Sequence, residues 1–225
     1  MTALPAKQYS TLLLDPPWME RGGGVSKRGA DRHYPLVPTL QLPAVILQSG
    51  KWLPARPRTG AHGETVPGDE ATGCSVWMWA TANFLDDALW LMKQLGAQYI
   101  TNVVWVKEGS DPTDAALHDG LSLGLGQRFR LCHEHLLYGR IGRVPVPAPV
   151  NRLPSVIIAP RTRHSEKPVQ SYELIERHDS FAGLPGDGAA GAPGGNVRLE
   201  MFARRGRAGW DSWGNEAPIL EAANG

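Results

Sequence analysis

Residues 12–18 read Leu-Leu-Leu-Asp-Pro-Pro-Trp, an apolar strand that runs directly into an acid, two prolines and a tryptophan. The prolines fix φ and donate no backbone hydrogen bond, so the carbonyl groups beside them are predicted to stay outside a strand ladder. The Asp15 carboxylate and these carbonyls then form a cluster of acceptors at the strand tip, next to the aromatic wall of Trp18. This combination suits the amino group of a flat base. The alternative is a Pro-Pro turn with a solvated Asp15 and a packed Trp18.

Strand and helix patterns alternate along the rest of the chain. Short apolar runs predict strands at residues 9–14, 75–80, 100–106, 131–138, 156–159 and 197–203. One predicted helix follows the cap candidates Thr81 and Asn83 and stops at Gly96, and another follows Ser165. This alternation predicts an α/β fold, with a largely parallel sheet and helices on both faces. Such sheets bind ligands at the carboxyl ends of their strands, and Asp15 lies at one such end.

Composition indicates a globular chain. Hydrophobic residues make up 42% of the 225 residues and charged residues 20%, which is enough apolar material for a substantial core. We expect one domain over residues 1–225, with Pro-, Gly- and Arg-rich loop insertions around 54–73, 109–127 and 180–196. The net charge of +1 neither requires nor excludes nucleic acid. No apolar run approaches the roughly 18 residues of a membrane span, and no signal peptide is recognisable, so we expect a cytoplasmic protein without a membrane partner.

Seven motifs in chain order carry a resemblance to a known family. They are DPPW at 15–18, SVWMWA at 75–80, NVVWVK at 102–107, HEHLLYG at 133–139, HSEKP at 164–168, RLEMFAR at 198–204 and GWDSWGNE at 209–216. The sequence resembles the S-adenosylmethionine (SAM)-dependent adenine methyltransferases typified by the SAM-binding subunit of the eukaryotic messenger-RNA N6-adenosine methyltransferase. Each motif alone is a weak signal, but together they cover nearly the whole chain.

The resemblance implies a Rossmann-like SAM-dependent methyltransferase fold that is permuted, so that the catalytic tetrapeptide precedes most of the cofactor-binding blocks. This order accounts for the absence of a G-x-G-x-x-G motif after the first strand. The implied cofactor is SAM, and the implied cofactor-binding residues are Asp15, Lys167, Glu200, Arg204, Asn215 and Glu216. Lys and Arg suit its carboxylate, while Glu and Asn accept from ribose hydroxyls. Without the family, Lys167 is equally well an exposed residue of a first helical turn, whereas Glu200 in an apolar strand needs a partner.

The implied reaction is methyl transfer from the sulfonium of SAM to the N6 amine of adenine. Asp15 and the Pro16 carbonyl would accept the hydrogens of the amine and draw it towards tetrahedral geometry, in a catalytic set completed by Pro17 and Trp18. A base within a duplex must be flipped out to reach such a site, unless it is already single-stranded. The implied substrate contacts are Trp18, Tyr34, Lys27, Arg28 and Arg32.

Several alternatives stay open at this point. We expect DNA rather than RNA as the substrate, because no zinc finger or Arg/Gly-rich tail of the kind that RNA-modifying relatives often carry is visible. RNA N6-adenosine methylation is the first alternative, and a catalytically inert nucleic-acid-binding subunit of a methyltransferase complex is the second. Cytosine-N4 methylation is a third, although it typically uses Ser at the position of Asp15.

The sequence gives less direct evidence on binding partners and on metal sites than on the reaction. We expect nucleic acid as the macromolecular partner and a monomer or homodimer as the assembly. His133 and His135 are one residue apart on a predicted strand and therefore share a face, but no matching Cys or His cluster accompanies them. No metal site is expected.

Overall fold

The computed structural model describes residues 8–19, 36–56, 63–64, 73–109, 120–124, 128–162, 166–184 and 197–214. Its strands are β1 (Thr11–Leu14), β2 (Gly73–Ala80), β3 (Gln98–Glu108), β4 (His133–Gly142), β5 (Val156–Pro160), β6 (Arg198–Met201) and β7 (Asp211–Trp213). The α-helices in these ranges are α1 (Leu42–Gln48), α2 (Leu85–Gln94) and α3 (Val169–Phe181), and short 3-10 turns precede α1 and α2. None of these helices is long and apolar enough to cross a membrane.

The strands form one seven-stranded sheet in the order β5-β3-β4-β2-β1-β6-β7. β1 lies parallel to both of its neighbours, β2 and β6, and β7 continues the parallel arrangement beyond β6. The chain leaves β1 towards β2 on one side and reaches β6 on the other side only much later. A crevice at the carboxyl ends of β1 and β6 is therefore expected, since ligands of open α/β sheets bind where the strand order reverses.

β4 departs from the largely parallel sheet that the sequence predicts. It runs antiparallel to both β2 and β3, while β5 lies parallel to β3. The described parts of the β3–β4 connection, residues 120–124 and 128–132, contain no helix. A parallel return needs a crossover, which is usually helical, whereas a direct return along the sheet is antiparallel.

Helices cover both faces of the sheet, as predicted, because successive strand residues point to opposite sides. Leu12 and Leu14 of β1 join the core beneath α1 and α2, which contribute Ile46 and Leu91 among others. Leu13 points the other way, into a second core that includes Ile175 of α3. The α/β, Rossmann-like prediction is thus confirmed.

The element bounds differ from the sequence prediction in particular places. β1 begins at Thr11 rather than at residue 9, and β3 extends to Glu108. Neither α1 nor β7 is predicted: α1 has only seven residues with a proline in its first turn, and β7 has three. α2 ends one residue before Leu95, and Gly96 then takes a φ of 76° that favours glycine. Ser165 lies outside the described residues, and the prediction of a single domain with three insertions stays a prediction.

Candidate active site

A cavity of about 600 Å³ lies beyond the carboxyl ends of β1 and β6. Its wall is formed by the ends of β1, β5 and β6, the start of α3 and the segment 202–207. The wall contains Asp15, Lys167, Glu200 and Arg204, four of the six predicted cofactor-binding residues. The volume is in the range of small-molecule sites, and the position is the crevice that the strand order predicts.

Asp15 follows the last residue of β1 and is held at the cavity wall by its backbone. Its N–H donates to the Met201 carbonyl at the end of β6, over 3.2 Å. Its carboxylate accepts Lys167 Nζ at 3.0 Å from Oδ1. Burial raises the pKa of Asp15, because it disfavours the charged form, while Lys167 acts in the opposite direction. An ionised Asp15 thus depends on the ammonium beside it.

Lys167 is shared between two carboxylates. Besides Asp15 it contacts Glu134 of β4, whose Oε2 lies 3.4 Å from Nζ. The other oxygen of Glu134 accepts Lys107 Nζ of β3 at 2.6 Å. Burial alone would raise the pKa of Glu134, but the two lysines lower it to about 2. Glu134 is therefore a buried anion, held charged by its neighbours.

Glu200 of β6 occupies another part of the same wall. It accepts a hydrogen bond from the Tyr172 hydroxyl of α3, at 3.0 Å to Oε1. Burial raises the pKa of Glu200 to about 7 in spite of this hydrogen bond, and the Asp15 charge adds to the rise. The guanidinium of Arg207 lies over the Tyr172 ring, 4.5 Å from its centroid. Glu200 is thus a buried acceptor that lies close to its point of titration at neutral pH.

Trp18 lies in the core beneath α1 and α2 and is 8% exposed. Its indole N–H donates to the Trp79 carbonyl at 3.1 Å, and its ring stacks on Phe84 with 5.6 Å between centroids and 13° between planes. Trp18 is not among the described residues that line the cavity. Trp18 therefore lies packed in the core, as in the alternative interpretation of the Pro-Pro turn. The role of Trp18 in binding a substrate base stays a prediction.

The two proline carbonyls are engaged. Pro16 O accepts the Trp18 N–H at 2.8 Å, and Pro17 O accepts the Val37 N–H at 3.1 Å in a short parallel bridge. The prediction that these carbonyls stay outside a ladder is wrong for Pro17. The Pro16 bond closes a local turn, and a carbonyl oxygen with one bond keeps a second lone pair. Pro16 therefore retains the capacity to accept a further hydrogen.

Six of the predicted site residues lie outside the described part of the chain, so their roles stay predictions: Lys27, Arg28, Arg32, Tyr34, Asn215 and Glu216. Sequence reasoning also missed residues that the structure brings to the site. Glu134, Lys107 and Tyr172 carry no predicted role. A signal for Glu134 is present in the sequence, because an acid within the apolar run 131–138 needs partners if it is buried.

Two comparisons with known proteins bear on this site. The MT-A70 family model matches residues 65–216 of the chain. The chain is also 26% identical, over 226 residues, to the type II methyltransferase M.MunI of Mycoplasma sp, and the alignment covers 96% of this chain and 80% of that protein. The range matched by the family model contains Lys167, Glu200 and Arg204 but begins after residues 15–18.

Proposed function

The chain belongs to the MT-A70 family of methyltransferases, and from this premise we propose that it uses SAM to methylate the exocyclic N6 amine of adenine in DNA. The single observation that carries the proposal is the position of Asp15. Its carboxylate lies at the tip of β1, on the wall of a cavity of about 600 Å³, with Lys167 at 3.0 Å. A carboxylate placed there can accept from an amine that enters the cavity.

The residues of the cavity fit SAM by charge and size. Lys167 and Arg204 provide cations for its carboxylate, and the start of α3 at the same wall adds the positive end of a helix dipole. Glu200 is an acceptor for the ribose hydroxyls. This role accounts for the presence of an acid in the buried strand β6. When bound, SAM supplies the electrophilic methyl group. These assignments agree with those that the sequence motifs imply.

The side chains of this site act on the substrate amine. The adenine amine is a poor nucleophile, because its lone pair is delocalised into the ring. The Asp15 carboxylate and the second lone pair of the Pro16 carbonyl accept hydrogen bonds from its two N–H groups, which favours tetrahedral geometry and stabilises positive charge on the nitrogen. Once the nitrogen carries the methyl group it loses one proton, which the Asp15 carboxylate is placed to take up. Lys167 favours the ionised form of Asp15, because its charge lowers the pKa of that carboxyl against the effect of burial. Positioning of amine and methyl donor in one cavity supplies much of the remaining rate.

Similarity to a type II methyltransferase supports DNA as the substrate, since that designation fits DNA methylation. The decisive experiment incubates the protein with SAM labelled in the methyl group, together with duplex DNA or single-stranded RNA. The products are digested to nucleosides and separated. We expect label in N6-methyldeoxyadenosine. Label in RNA alone would contradict the DNA assignment, and label in N4-methyldeoxycytidine would contradict the choice of base.

Cofactor binding needs a separate measurement. We expect Lys167→Ala to weaken SAM binding in titration calorimetry, because it removes a cation from the cavity wall. Lys93→Ala is the matched control, since Lys93 is an exposed residue in the last turn of α2. Absence of SAM binding by the unaltered protein would favour an inert subunit over an enzyme.

A further inference from the structure

Two charged residues of the sequence motifs have no role in the proposed reaction. Lys107 ends the NVVWVK motif on β3, and Glu134 lies in the HEHLLYG motif on β4. The strands are antiparallel neighbours, and Glu134 pairs with Trp105 in the register. Both side chains are largely shielded from solvent, at 15% exposure for Lys107 and 11% for Glu134. Charges in such surroundings are unfavourable unless they are paired.

The pairing extends as an unbroken series to the cavity. Lys107 Nζ contacts Glu134 Oε1 at 2.6 Å, Glu134 Oε2 contacts Lys167 Nζ at 3.4 Å, and Lys167 Nζ contacts Asp15 Oδ1 at 3.0 Å. Positive and negative charges alternate along the series, and they sum to zero. Such an arrangement stabilises each buried ion through its neighbours, while loss of one member leaves the next uncompensated.

Aromatic rings restrict where the two ammonium groups can lie. Lys107 Nζ is 5.1 Å from the centroid of the Trp105 ring, and Lys167 Nζ is 5.5 Å from that of the Trp79 ring. The two indoles pack edge to face, with centroids 6.1 Å apart. Both rings are buried, and each makes a cation–π contact with one of the two ammonium groups. Trp79 of the SVWMWA motif and Trp105 of the NVVWVK motif thus contact the lysines of the same series of charged residues.

We propose that Lys107 and Glu134 are positioning residues for methyl transfer, which together set where the Lys167 ammonium lies relative to Oδ1 of Asp15. This inference rests on the proposed function, because it concerns the residue that binds the substrate amine. Glu134 attracts Lys167 away from Asp15, and Lys107 limits that attraction by neutralising the other oxygen of Glu134. Lys167 is therefore shared, and Asp15 Oδ2 is the acceptor for the amine.

Loss of Lys107 would remove the charge that balances Glu134 on the side away from Lys167. Glu134 would then draw Lys167 towards itself, and Asp15 would lose part of its cation. The charged groups that face Asp15 are Lys167, Glu134, Arg204 and the nearby Glu200. With a weaker contact to Lys167, the buried Asp15 carboxyl takes up a proton more readily and no longer accepts from the amine. The defect should decrease as the pH rises.

The test measures single-turnover methyl transfer and SAM affinity for the unaltered protein, Lys107→Met, Lys107→Arg and the control Lys93→Met. We expect Lys107→Met to lower the rate about tenfold at pH 7, the scale of a misplaced reacting group, with a smaller deficit at pH 9. SAM affinity should fall less than it does in Lys167→Ala, because Lys107 does not line the cavity and its loss displaces Lys167 without removing it. Lys107→Arg should retain most of the rate, since it preserves the charge.

A second variant guards against a folding defect. Glu134→Gln removes the charge that draws Lys167 away from Asp15, so the double variant Lys107→Met/Glu134→Gln should be faster than Lys107→Met, because the two residues act as one unit. A double variant no faster than Lys107→Met would overturn the inference, as would a Lys107→Met rate equal to that of Lys93→Met. Failure of the unaltered protein to transfer a methyl group would instead overturn the proposed function, and with it this inference.

Discussion

Two carboxylates that are largely shielded from solvent lie at opposite ends of β1, and their surroundings differ. At the carboxyl end, Asp15 faces a cavity and has an ammonium as its partner. At the amino end, Asp179 of α3 is 2% exposed and does not line the cavity. Its Oδ2 accepts from the hydroxyls of Thr11 at 2.6 Å and Ser75 at 2.8 Å. Burial of an acid is common to both, so burial alone does not identify a functional residue.

The distinction lies in what each carboxylate can still bind. Asp179 also contacts the His178 ring through Oδ1, at 2.9 Å, so both of its oxygens have partners within the protein. It joins α3 to β1 and β2 as a structural connection. Asp15 combines a charged partner with access to a ligand-sized space. The comparison therefore predicts that loss of Asp179 affects folding and that loss of Asp15 affects chemistry.

The largest expected effect belongs to Asp179→Ala. The substitution leaves the Thr11 and Ser75 hydroxyls without their acceptor in the core, and should lower the free energy of unfolding by about 4 kcal/mol. Urea denaturation measures the loss. The control Asp86→Ala removes an exposed acid from the first turn of α2 and should cost less than about 1 kcal/mol. Equal losses for the two variants would contradict a structural role for Asp179.

Asp15→Ala should show the opposite pattern. We expect kcat to fall about 100-fold or more, which is the scale of losing one preorganised group, or about 2.7 kcal/mol. SAM binding should stay nearly intact, since other residues provide the cofactor contacts. Steady-state kinetics and calorimetry measure the two quantities separately. Comparable damage to both would make Asp15 chiefly a cofactor-binding or folding residue.

Glu200 provides a pH test of the same comparison. Its pKa is about 7 in the folded protein against an ordinary 4.5, so the folded state binds a proton more tightly than the unfolded chain. The contribution of Glu200 to stability therefore declines as the pH rises from 4.5 to 7. Glu200→Gln removes this decline. Between pH 5 and pH 8 the stability of the variant should therefore rise by about 2 to 3 kcal/mol relative to that of the unaltered protein.

Glu134→Gln is the matched control for the pH test. The pKa of Glu134 is about 2, so this group is ionised in both the folded and the unfolded states above pH 5. Its contribution to stability is present above pH 4.5 and is lost only as the pH falls towards 2. The stability deficit of Glu134→Gln should therefore be constant from pH 5 to pH 8. A deficit that varies as that of Glu200→Gln would show that the two acids share one environment.

Much of the fold could be predicted because its signals are local. The apolar runs mark six of the seven strands found among the described residues, and the spacing of apolar residues marks α2. The elements that were missed, α1 and β7, are short and carry little periodicity. The antiparallel direction of β4 has no local signal, because an apolar strand has the same pattern in either direction. The length of the preceding connection did not indicate a direct return.

The residues of the candidate site also fall into those that the sequence could predict and those that it could not. Asp15 and Glu200 could be recognised because each is an acid at or within an apolar strand. Tyr172, Lys107 and Glu134 could not be assigned partners, since each contacts residues on another element of the sheet or helix layer. Trp18 was expected beside a base, but its packing against Phe84 depends on how α2 meets the sheet.

The sequence by itself determined that an acid follows the first strand and that strands and helices alternate. These properties depend on neighbouring residues and on periods of two and 3.6, which the chain carries along its length. Only the tertiary structure decided that Lys167 lies between Asp15 and Glu134, and that Asp179 is enclosed while Asp15 faces a cavity. Electrostatic pairing and burial depend on distances in space, and those distances arise only when separate strands and a helix assemble.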